Sequence, residues 1–141
     1  MQDATFKLVE IIFTLSRLMK EEMSFGEELM NLSASQFMSL MYISEHAPVT
    51  MSAIASYLRI ELPSATSVIN KLSRAKLIKR HASPDDRRLV LISLTERGQD
   101  LLKQAKDLRR QKIERNLALF SDREKSDLLI ILQTLHNRLQ N

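Results

Sequence analysis

The sequence predicts a mainly α-helical fold, with helices running through most of the chain and one two-stranded β-hairpin near its middle. Three observations point there. Only 2 Gly and 3 Pro occur in 141 residues, too few for a loop-rich architecture. Apolar residues recur at helical spacing towards both ends, as in Leu8, Ile11, Ile12, Leu15, Leu18 and Met19, and again in Leu128, Leu132, Leu135 and Leu139. Two β-prone runs, Leu77–His81 and Leu89–Leu94, bracket the turn-rich segment Ala82–Arg88.

The first helix is expected over Thr5–Met23. Phe6, Val9 and Phe13 widen its apolar stripe well beyond one face, so it needs neighbours on several sides. Gly26 stands in the break that follows. Ser33 precedes Gln36 by three residues, a capping-box spacing ahead of Phe37, Leu40 and Met41, and that second helix should stop near His46 to Pro48. Thr50 is placed to cap a short third helix that turns Ile54, Ala55 and Leu58 inward.

After a brief connection, Pro63 suits the first position of a fourth helix. At 100° per residue Ala65, Val68, Ile69 and Leu72 share one face. Ser67, Asn70, Lys71 and Arg74 share the other, with Ser64 and Thr66 exposed at the front. Small hydroxyls permit close approach of a backbone, and an amide and long cations behind them reach base edges and phosphates. An ordinary surface helix would mix Glu with Lys, yet no acid occurs from Leu62 to Pro84. The hairpin comes next, then a long helix capped by Thr95 and running from Glu96 to about Leu119. Ser121 caps a last helix carrying the leucine seam.

Helices followed at once by a β-hairpin form a winged helix-turn-helix, assigned here to residues 33–95 of a single domain spanning 1–141. The flanking segments, 1–25 and 96–141, are N- and C-terminal dimerisation helices in this reading, because such units bind two half-sites with two-fold symmetry.

Charge agrees with the assignment. The chain carries +4, but the window Arg59–Arg88 holds eight basic and three acidic residues and is +5, which leaves the remainder at −1. A basic centre in a nearly neutral frame is an electrostatic footprint for a polyanion. Zero Cys rules out disulfide scaffolds, thiolate metal sites and cysteine chemistry in this chain and fits a reducing cytoplasm. Lys7, Glu10 and Arg17 interrupt the first apolar stretch, so neither a secretory signal nor a membrane span is expected.

Several fragments, in order and at matching spacing, resemble the MarR family of transcriptional regulators over nearly the whole chain. Leu32-Ser33-Ala34-Ser35-Gln36-Phe37 is similar to the opening of the family's second helix, and Leu62-Pro63-Ser64-Ala65-Thr66 to the start of its recognition helix. Lys76-Leu77-Ile78-Lys79-Arg80 stands where its first wing strand stands. Pro84-Asp85-Asp86-Arg87-Arg88 and Ile92-Ser93-Leu94-Thr95-Glu96-Arg97-Gly98 resemble its wing and fifth-helix entry. The resemblance implies a dimer joined through the first, fifth and sixth helices, a pseudo-palindromic operator in double-stranded DNA, and release by a small phenolic or other aromatic effector. It also implies that Arg88 enters the minor groove while Asp86 orients its guanidinium. Lys76 departs from the family's usual glycine, adding a cation at the turn into the wing. The cysteine-based peroxide-sensing branch has no counterpart here.

The expected DNA-binding residues are therefore Ser64, Thr66, Ser67, Asn70, Lys71, Arg74, Asp86, Arg87 and Arg88. Phe13, Arg17 and Tyr42 are candidate walls and a carboxylate partner for an effector, although packing and surface ion pairs are their commoner roles. Catalysis is not expected. Asp85 and Asp86 beside His81 and Ser83 fall in an exposed turn without a pocket, and Gly26 and Gly98 make no phosphate loop. His46, His81 and His136 lie on separate elements without ligand spacing, and Met19, Met23, Met38 and Met41 read as adaptable core filling, so neither metal nor cofactor is expected. The alternative to a transcription regulator is a helical protein-interaction module that uses its winged helix for partner binding.

Overall fold

A computed structural model describes residues 3–22, 24–26 and 29–141. Met23 lies outside the described residues. The elements in chain order are α1 (Ala4–Glu22), α2 (Ala34–His46), α3 (Met51–Leu58), α4 (Leu62–Arg74), β1 (Ile78–Ala82), β2 (Val90–Leu94), α5 (Glu96–Leu117) and α6 (Asp122–Gln140). Two compact units result, dividing within α5 between Asp107 and Leu108. Among the described residues no helix is long and apolar enough to cross a membrane.

In the first unit, local chemistry sets the helix ends. The Ser33 side chain accepts from the Gln36 backbone N–H at 3.2 Å, and the Gln36 side chain accepts from the Ser33 N–H at 2.7 Å, a complete capping box for α2. Thr50 Oγ1 accepts from the Ala53 N–H to start α3. α3 ends in a left-handed residue, Arg59 at φ 54°, whose N–H reaches the Ser56 carbonyl while the Ile60 N–H reaches that of Ala55. α4 ends the same way. Lys76 adopts φ 60°, its N–H donates to the Ser73 carbonyl, and the Leu77 N–H donates to that of Leu72. Leu72 and Leu77 are both buried, supplying the apolar contact that accompanies this closure. The lysine thus keeps the turn that glycine would make more cheaply.

Several expected boundaries shift by a residue or two, and two of the shifts have a clear physical reason. α4 begins at Leu62 rather than Pro63, since a helix's first N–H groups have no internal partner and proline fits within the first turn. β1 begins at Ile78 rather than Leu77, because the Leu77 N–H is spent on closing α4. The hairpin is antiparallel, with Ile78 opposite Leu94, Arg80 opposite Ile92 and Ala82 opposite Val90. Val49 adds a short third rung, exchanging both backbone hydrogen bonds with Ile92.

The core of this unit gathers Phe37, Leu40 and Ile43 of α2, Ile54 of α3, Ile69 and Leu72 of α4, and Ile92 of β2, all essentially inaccessible to solvent. Phe25 meets Phe37 edge-on at 5.4 Å. Ser39, buried among them, satisfies its hydroxyl on the Ser35 carbonyl at 2.8 Å. Thr95 ties the hairpin to α5. Its hydroxyl donates to the Lys76 carbonyl at 2.7 Å and accepts from the Gly98 N–H at 3.0 Å, and its own N–H donates to the Leu77 carbonyl. α1 behaves differently: none of its residues is buried, and Phe13 is 73% exposed.

The second unit holds the end of α5 and all of α6. α5 stops at Leu117, two residues short of the expected end. Ser121 and Glu124 form a capping box that starts α6. The Ser121 N–H and hydroxyl, both donating to the Glu124 carboxylate, hold its pKa below the usual value. No residue of α6 is buried, and Ile131, Leu132, Leu135 and Leu139 stand exposed.

Candidate nucleic-acid interface

α4 presents a buried and a solvent-facing side as the periodicity requires. Ala65, Ile69 and Leu72 face the core, Val68 is half-buried, and Ser64, Ser67, Lys71 and Arg74 are exposed. Thr66 and Asn70 are half-buried. At 1.5 Å per residue, Ser64 to Arg74 spans roughly 15 Å, enough to follow the floor of a major groove about 12 Å wide. The outward surface is graded. Hydroxyls stand at the front and the two cations stand in the last turn, where they also complement the helix dipole.

Two of these side chains have partners that limit what they can offer. Thr66 Oγ1 donates to the Leu62 carbonyl at 2.9 Å, so its proton is committed and it presents a methyl group and acceptor lone pairs. Asn70 Oδ1 accepts from Arg80 Nη2 at 2.6 Å, which leaves the amide NH2 facing outward chemistry. Arg80 was not among the residues expected from sequence to serve the site. A period-two strand pattern, with Ile78 inward and Arg80 therefore on the same face, is the signal that could have found it.

The wing is organised by its own turn. Ser83 Oγ accepts from the N–H groups of Asp85 and Asp86, at 3.3 and 3.4 Å, and the Ser83 N–H donates to the Leu89 carbonyl. Asp86 Oδ1 accepts from the Arg88 N–H at 3.0 Å and from its Nε at 3.4 Å. The Arg88 side chain is 94% exposed, so the pair aims the guanidinium without burying it. Such an exposed pair adds little stability, and orientation is its physical consequence. Arg87 is exposed beside it.

The remaining candidates lie apart from this surface. Arg17 is paired with Glu21 at 3.0 Å on the exposed α1, on the same helix as Phe13. Tyr42 is the middle ring of a stack, 4.5 Å from both Tyr57 and His46. A cavity of about 750 Å³ opens between the end of α2, the hairpin and α5, lined by Ile43, Ser44, Lys79, His81 and Gln99 among others, and by none of Phe13, Arg17 and Tyr42. Asp85, His81 and Ser83 are not drawn into a pocket together: His81 lies on β1, and Ser83 caps the wing turn.

The model of the MarR family matches residues 32–90. Among curated proteins, an uncharacterized HTH-type transcriptional regulator of Bacillus subtilis, YfiV, is 29% identical over 79% of this chain and 70% of its own length. The organic hydroperoxide resistance transcriptional regulator of the same organism is 28% identical over 94% of this chain and 91% of its own. Among solved structures, apo MarR from E. coli superposes with a TM-score of 0.80 at 22% identity, covering 91% of this chain and 96% of that one. At that identity the superposition establishes the shared fold.

Proposed function

We propose that this chain, whose residues 32–90 match the model of the MarR family of transcriptional regulators, is a MarR-type ligand-responsive repressor that binds a pseudo-palindromic operator as a homodimer. One observation carries the reading: the outward side of α4, acid-free and ending in Lys71 and Arg74, is followed in the same unit by a wing whose Arg88 is aimed by Asp86.

In this mechanism α4 enters the major groove, where Ser64, Thr66, Ser67 and Asn70 meet base edges and Lys71 and Arg74 neutralise phosphates. Arg88, with Arg87 beside it, reaches the neighbouring minor groove, whose negative potential favours a guanidinium. The exposed apolar sides of α1 and α6 support dimerisation, since Phe6, Ile12 and Phe13 on one and Ile131, Leu132 and Leu135 on the other would be covered by a second chain. An aromatic effector held near Phe13, Arg17 and Tyr42 would reach the reading unit through the Tyr42–Tyr57 stack, because Tyr57 belongs to α3. It would act by favouring a dimer geometry that misfits the two half-sites. With 0 Cys in the chain, the trigger is binding rather than thiol oxidation.

Selection of duplexes from a random pool, followed by affinity measurements across salt concentrations, tests the proposal. The expected outcome is a two-fold-symmetric sequence whose affinity falls steeply and linearly in log–log form with salt. Absence of any enriched sequence, with weak uniform binding, would overturn it.

A further inference from the structure

We propose that Arg80 is a specificity-setting residue: it fills one lone pair of the Asn70 carbonyl oxygen, sets a positive charge beside the other, and so biases Asn70 to act as a donor that selects guanine over adenine. The inference rests on the reading of α4 as the base-reading helix and adds to it a direction of preference and a residue from outside that helix.

The position of Arg80 on its strand sets where its side chain goes. Arg80 pairs directly with Ile92, and residues opposite each other in an antiparallel ladder project from the same face. Ile92 is buried, and so is Ile78, two residues before Arg80. Arg80 therefore stands on the side of the hairpin that packs towards the core, unlike Lys79 and His81, its neighbours on the other side. β1 packs against α4, so a long side chain on this face, too polar to end in the core, extends along α4 to Asn70.

The chemistry of the contact is unambiguous. A guanidinium has five donors and no acceptor, so the asparagine atom 2.6 Å from Nη2 is the oxygen, and the NH2 must point elsewhere. An unrestrained asparagine reads adenine by accepting from N6 and donating to N7 at once. Here the oxygen already serves a cation, and that cation repels the N6 amino group that would compete for it. Guanine offers the opposite pattern, two acceptors at O6 and N7, which suits an outward NH2 beside a positive charge. Ser67 and Lys71, adjacent to Asn70 on the outward side, carry no carboxylate that would reverse that field.

The test compares base preference across a random duplex pool for the full-length protein and its R80M, R80K, N70A and R80M/N70A variants, with circular dichroism verifying folding. The wild-type protein should prefer guanine at one position per half-site. R80M, which keeps an unbranched apolar stem and removes every donor, should move that position towards adenine, by a factor of about 5 to 150 if the bidentate contact forms fully, and leave the others unchanged. N70A should erase the preference there, and R80M/N70A should match it. R80K separates charge from geometry: it should retain affinity but blur the choice at that position. If R80M instead weakens all sequences equally and R80K restores them, Arg80 is a phosphate contact and the proposal is overturned. If N70A changes nothing at any position while the pool still yields an operator, the assignment of Asn70 fails and the clamp fails with it. A pool that yields no operator defeats the underlying DNA-reading proposal as well.

Discussion

Replacing Gly98 with alanine should destabilise the protein far more than a buried methyl normally would. Gly98 lies in the first turn of α5, and a Cβ built on it would sit 2.0 Å from the Leu77 carbonyl oxygen and 3.0 Å from its carbon. The closest comfortable carbon–oxygen approach is about 3.3 Å, so the two backbones must separate by roughly 1.3 Å. That displacement strikes a tightly used junction. The same Leu77 carbonyl accepts from the Thr95 N–H, and the Thr95 hydroxyl bridges the Lys76 carbonyl and the Gly98 N–H. Losing two or three of these at about 1 kcal/mol each, and loosening the buried Leu77, outweighs the gain of about 1 kcal/mol from alanine's helix propensity. With about 1–2 kcal/mol added for the strain and backbone shift at Leu77, the net cost works out at about 2–4 kcal/mol. Urea denaturation at one protein concentration for both proteins measures it directly, and matching the concentration holds the mass-action contribution of subunit association the same for both. A G98A midpoint equal to or above that of the unsubstituted protein, at unchanged slope, would refute the reasoning.

Other expectations follow from the same structure. K76G should stabilise the chain by about 1 kcal/mol, because it removes a left-handed lysine while keeping the α4 closure; a loss of stability by urea denaturation would show that the lysine side chain supplies more than its backbone strain costs. R88A should weaken operator binding by about 1–3 kcal/mol in titrations with labelled duplex, with folding intact; unchanged affinity counts against the wing contact. K71A should weaken specific and random DNA alike and reduce the salt slope by about one, and a change confined to one base position would contradict its phosphate role. L132D places a charge in the α6 seam, so light scattering should report a mass near 16.3 kDa or loss of folding rather than twice that mass.

What could be read from the sequence was mostly local. Ser33, Thr50 and Ser121 were recognisable as caps because each cap reaches only three residues ahead. The inward face of α4 followed from periodicity, as Ala65, Ile69 and Leu72 show. Contacts between distant segments were not legible. Thr95 was identifiable as a helix cap, but nothing in its neighbourhood reveals that its hydroxyl also crosses to the Lys76 carbonyl, 19 residues back. Gly98 appeared only as a motif glycine, and the need for it arises from the Leu77 backbone lying against it. The pairing of Asn70 with Arg80 escaped for a related reason. Helix periodicity places Asn70 and strand periodicity places Arg80, but neither rule says that the two faces meet. The left-handed Lys76 was masked by its own side chain, since lysine carries no local signal for positive φ.

In the proposed complex α4 lies in the major groove and the wing beside it in the minor groove, twice per operator. Methylation protection with dimethyl sulfate on a selected duplex separates the two grooves, because guanine N7 lies in the major groove and adenine N3 in the minor. The expected result is two clusters of protected guanines with centres about one helical turn apart or a multiple of it, each flanked by protected adenines on the side the wing reaches. A single cluster without symmetry, or tight binding that leaves every guanine N7 reactive, would contradict it.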